Sequence, residues 1–83
     1  SWVADPRDKA VSNPSDKDWF AFTTIDADTL TVEVVAFVKA SALKSLWKPC
    51  LAPVLQRKGK KAIYWDDLRK TVSEEDAVFL RPA

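Results

Sequence analysis

Few side chains in this 83-residue sequence could do chemistry, and their types restrict the chemistry severely. There is no histidine, which removes the commonest general base and the commonest metal ligand. Cys50 is the only cysteine, so neither an internal disulfide nor a thiol–imidazole dyad can form. It reads as a small buried hydrophobe, because no neighbour in the sequence would activate the thiol. Structural zinc takes four Cys or His ligands, and the chain offers one. The only glycine is Gly59, so no glycine-rich phosphate loop exists. Paired carboxylates remain: Asp26 with Asp28, Asp66 with Asp67, and Glu74-Glu75-Asp76. None has the spacing of a calcium loop, and each sits where turns and helix starts ordinarily carry Asp and Glu. The expectation is a protein that is not an enzyme, holds no metal and no cofactor, and works by binding.

Three sets of residues could bind, one of them the pair Trp2 and Trp19, whose large rings could anchor a partner while Trp47 and Trp65 are expected in the core. Ile25, Leu55 and Phe79 are apolar groups at expected outward strand positions, where exposed apolar side chains mark partner-binding surfaces. Arg57, Lys58, Lys60 and Lys61 form a basic tip that could meet an acidic partner or phosphate, or serve as a solvated turn that discourages edge pairing. Thirteen basic residues against twelve acidic ones leave a formal charge of +1. A dedicated nucleic-acid binder shows a stronger basic excess, so nucleic acid is the secondary partner class and another protein the first.

The elements that would position these groups follow from periodicity. Residues 1–18, with Pro6, Pro14 and four aspartates, read as a mobile leader or linker; residues 19–83 read as one domain. Residues 19–25 alternate, and residues 29–34 alternate again across the turn Asp26-Ala27-Asp28, which is the pattern of a β-hairpin. Its inward face would carry Phe20, Phe22, Leu30, Val32 and Val34. Ser41 could cap a helix over residues 40–48 that presents Leu43, Leu46 and Trp47, with Pro49 and Pro53 ending it. Residues 54–57 and 62–65 would form a second hairpin about Gly59 at its tip, Asp66-Asp67-Leu68 would open a short helix, and residues 77–80 would be a last strand.

That order resembles the β-grasp, or ubiquitin-like, superfamily. Residues 19–34 are similar to the opening hairpin of ubiquitin, above all Thr29-Leu30-Thr31-Val32-Glu33-Val34, and the close is similar in Asp67-Leu68, Glu74-Glu75-Asp76 and residues 78–81. The resemblance implies an α+β fold with a mixed sheet and one principal helix. The chain ends Leu80-Arg81-Pro82-Ala83 rather than Gly-Gly, so an interaction domain of a larger protein is expected rather than a conjugated modifier. Lys58-Gly59-Lys60-Lys61-Ala62 also resembles Raf-type Ras-binding domains, although those use a basic second strand and this one carries Glu33. An all-α alternative exists: Lys39-Ala40-Ser41, residues 64–68 and residues 74–80 resemble chromatin-accessory histone folds, which would make residues 31–56 one helix and imply chromatin or nucleic-acid association through a histone-fold dimer.

The expected function is therefore protein–protein interaction through a ubiquitin-like domain. No apolar run approaches the ~18 residues of a membrane helix, so no membrane partner is expected. One unpaired cysteine suits a reducing, intracellular setting, cytoplasm or nucleus.

Overall fold

The computed structural model describes residues 1–81, and the Pro82-Ala83 end of the tail lies outside them. The chain is a small α+β domain with two antiparallel three-stranded sheets and a few short helices. In chain order these are β1 (Trp2–Ala4), α1 (Lys9–Ser12), β2 (Trp19–Asp26), β3 (Thr31–Lys39), a 3-10 turn (Ala40–Leu43), β4 (Lys48–Pro49), α2 (Pro53–Arg57), β5 (Lys61–Ile63), α3 (Trp65–Thr71) and β6 (Ala77–Phe79). One sheet has the order β1-β5-β4, the other β2-β3-β6.

The long hairpin forms because β-branched and aromatic residues dominate both strands and the turn is chemically fixed. The Asp26 carboxylate accepts from the backbone N–H of Asp28 at 2.9 Å and of Thr29 at 3.3 Å. Leu30 closes the turn at φ 54°, a left-handed conformation that leaves its side chain in solvent. The register then shifts: Phe22 faces Ala36 but Thr23 faces Val34, so Val35 is an extra residue in β3. A bulge of this kind reverses the in–out phase of one strand. Ala36 and Val38 therefore point inward, Val35 is also fully buried, and the expected inward residues Val32 and Leu30 are exposed while Val34 is half-buried.

Phe22, Val35, Ala36, Val38, Leu43, Leu46, Ile63, Leu68 and Ala77 make the core between the sheets. A row of rings runs through it from Trp47 to Phe20, Phe22, Trp2, Trp65 and Phe79, with successive centroids 5.9, 6.3, 5.0, 6.0 and 5.8 Å apart. Three of these five pairs are edge-on, as ring quadrupoles favour, and the other two are tilted.

Several expectations are corrected. Residues 1–18 join the body: β1 pairs with β5, Val11 is buried, and the Trp2 indole N–H donates to the Thr23 carbonyl at 2.8 Å, tying the two sheets together. The helix expected over residues 40–48 is only the four-residue 3-10 turn. Its apolar residues are inside as expected, but Trp47 leads into β4, where Pro49 suits an edge strand that needs no N–H donor on its open side. Residues 54–57 are helical, not a strand, because Pro53 starts α2 at its first turn. Gly59, at φ 72°, ends that helix instead of tipping a hairpin: Lys60 N–H donates to the Leu55 carbonyl and Gly59 N–H to that of Gln56, both at 3.0 Å. Both sheets are wholly antiparallel, so the expected mixed sheet and principal helix are absent among the described residues. Residues 31–56 form a strand, a 3-10 turn, a strand and a short helix, which removes the all-α histone-like alternative.

Candidate functional site: the outer face of the long sheet

Direct cross-strand partners lie on the same face of a sheet. Phe22, Ala36 and Phe79 are such a row, and so are Val38 and Ala77 with Phe20; these residues look into the core. The intervening row is Ala21, Phe37 and Val78, which must look outward. Along β2, Trp19 and Ile25 alternate onto that outer side, Val32 sits opposite Ile25, and Leu80 follows Phe79 with its N–H on the Val35 carbonyl. Trp19, Ile25, Val32, Phe37, Val78 and Leu80 are each between 41 and 74 % exposed. Six large apolar side chains thus share one uncovered face, and the single charged residue in the paired rows there is Lys39, opposite Trp19.

Charge gathers at the two ends of these strands. Asp16 and Asp18 precede β2, Asp26 ends it and Asp28 follows, and Glu74, Glu75 and Asp76 precede β6. The cations nearby in sequence are fewer, and two are engaged: Lys39 with Asp76 at 3.9 Å and Arg81 with Glu33 at 3.2 Å. Arg81 also donates to the Thr24 hydroxyl at 3.2 Å. The face is apolar with acidic ends.

Of the three apolar residues expected to bind, only Ile25 belongs to this face. Phe79 turns inward, edge-on to Trp65 and 4.4 Å below the Arg69 guanidinium. A ring clamped between an indole and a cation is packing rather than display. Leu55 is half-buried on α2, where it lines a concavity of about 230 Å³ with Val3, Cys50, Ala62 and Tyr64 on the side of the β1-β5-β4 sheet. Sequence reading missed Phe37, Val78 and Leu80, and it assigned Val32 inward. The signal it held was the odd-numbered alternation of Trp19, Ala21 and Ile25; the unmarked bulge in β3 hid the rest.

The basic group is divided as well. The Lys60 ammonium bonds the Asp5 carboxylate at 2.9 Å, and Arg7 reaches the same carboxylate at 2.7 Å. Those hydrogen bonds, Arg7 first, hold the Asp5 carboxyl far below its ordinary range. Lys61 is half-buried in β5, whereas Arg57 and Lys58 stand exposed at the end of α2. Lys48 pairs with Asp67 at 2.8 Å, which raises the pKa of its ammonium. Cys50 is buried as a free thiol. Among the described residues no group of three His, Cys, Asp or Glu side chains could hold a metal ion, and no helix is long and apolar enough to cross a membrane. Against families, curated proteins and solved structures alike, the chain finds no match.

Proposed function

We propose that this chain is a non-catalytic protein–protein interaction module that receives its partner on the outer face of the β2-β3-β6 sheet. The observation that carries the reading is the uncovered row Ala21, Phe37 and Val78, extended by Trp19, Ile25, Val32 and Leu80. Monomeric proteins seldom leave a contiguous apolar patch of more than a few hundred Å² in water. Three strands spaced ~4.8 Å apart offer a strip about 14 Å wide, enough for one helix of ~10–12 Å diameter. The acidic strand ends would repel a second copy of the same face and attract lysine and arginine on a partner. A basic amphipathic helix meets all three conditions.

A ubiquitin-like relationship enters this proposal only as far as the hairpin and the closing strand beside it. Two all-antiparallel sheets and a 3-10 turn in the helix position are departures from that pattern. The nucleic-acid alternative draws less support, since Lys60 already serves Asp5.

The test is selection from a phage-displayed peptide library against the whole chain. Selected peptides should carry apolar residues at helical spacing with interspersed Lys or Arg, and Phe37→Ser with Val78→Ser should abolish their binding while circular dichroism shows an intact fold. Acidic winners, or winners indifferent to those substitutions, would defeat the proposal.

A further inference from the structure

The second uncovered apolar feature lies beside the β1-β5-β4 sheet, in the segment that joins β4 to α2. Between β4 and α2 the chain makes a bend whose base is anchored: Cys50 is buried, with its N–H on the Lys60 carbonyl at 3.4 Å, and Leu55 is half-buried over Ala62. From this base two side chains project. Leu51 is 83 % and Val54 53 % exposed. Pro53 in the first turn of α2 and the glycine-terminated end at Gly59 stiffen the segment, so the projection is built rather than frayed.

Charge is segregated here more sharply than anywhere else. Residues 44–61 contain six basic residues and no acidic one, while the remainder of the chain holds seven basic and twelve acidic residues. Lys48 and Lys60 are held by Asp67 and Asp5, but Arg57 and Lys58, at the end of the helix that begins beside Val54, are exposed.

We propose that this finger docks the protein peripherally on an anionic lipid surface. Leu51 and Val54 enter the boundary between headgroups and acyl chains, and Arg57 and Lys58 meet lipid phosphates and carboxylates. A nucleic acid would reward the cations but not the protruding leucine and valine. A lipid surface rewards both, since interfacial binding adds apolar insertion to attraction by anionic headgroups. This revises the expectation that membranes play no part, and it uses none of the residues of the outer sheet face.

The experiment is flotation of the whole chain with vesicles of phosphatidylcholine alone and of phosphatidylcholine with phosphatidylserine. The chain should float only with the phosphatidylserine vesicles and lose them as salt rises. Leu51→Ser with Val54→Ser, and separately Arg57→Gln with Lys58→Gln, should each lower the partition coefficient roughly tenfold or more. Phe37→Ser should float like the parent, which keeps this test separate from that of the sheet face. Absence of flotation with phosphatidylserine vesicles overturns the proposal. So does undiminished flotation of the Leu51/Val54 variant, or tighter association with a DNA duplex that is insensitive to that variant.

Discussion

The two faces of the β2-β3-β6 sheet are nearly equal in apolar content and opposite in fate. One carries Phe20, Phe22, Ala36, Val38, Ala77 and Phe79 and is covered by the second sheet, α3 and the ring row. The other carries Trp19, Phe37, Val78 and Leu80 and is bare. A strand apolar on both faces is ordinarily buried on both. The core face stabilises the fold, and the bare face is what the fold leaves for something else to cover.

The sharpest test of that difference is truncation on the covered side. Phe22 is only 3 % exposed and touches both Phe20 and Trp2, so Phe22→Ala should cost ~3–5 kcal/mol in denaturant melts, enough to threaten a domain of this size. A loss under about 1 kcal/mol would reverse the assignment of faces. Phe79→Ala should fall lower, at ~1–3 kcal/mol, because the ring is half-buried yet clamped by Trp65 and Arg69. On the bare side, Phe37→Ser should change stability by no more than about 0.5 kcal/mol. If Phe37→Ser proves as damaging as Phe79→Ala, the faces are not functionally distinct.

The smallest expected effect concerns the tether between the N-terminal segment and β5. Asp5 is depressed in the folded protein by Arg7 and Lys60, so its contribution is full above the ordinary Asp value of 3.8 and is lost as pH falls toward the depressed folded value. The stability difference between the parent and Asp5→Asn should therefore be flat near neutrality and shrink only in strong acid. A difference that instead grows as pH falls would mean Asp5 opposes folding.

Local features of the fold were legible in the sequence and distant ones were not. The strands of the hairpin, the turn at Asp26 and the opening of α3 at Asp66-Asp67 depend on residues a few positions apart, and each stands near its expected place. The bulge at Val35 has no marker of its own type; it is imposed by how β3 meets β2 and β6. Gly59 takes the positive φ that its position in the sequence predicts, but that requirement ends helices as well as it turns hairpins. Trp2 could not be placed because its partners, Thr23, Phe22, Trp65 and Ile63, lie far along the chain. For the binding surface, sequence supplied Ile25 and the wrong member of the Val78-Phe79 pair, since a single residue of phase decides which of the two faces water.

The pairing of β1 with β5 also sets an order in time. Trp2 meets Ile63 and Ala4 meets Lys61, so roughly sixty residues of chain must be made before the first strand has anything to pair with. At synthesis rates of ~5–20 residues per second, that is a wait of several seconds, during which β2 and β3 can already close on each other. For that interval Phe22 lacks its Trp2 neighbour and the hairpin has apolar residues on two open faces. The nascent domain is most vulnerable to aggregation between completion of the hairpin and arrival of β5, α3 and β6, residues 61–79.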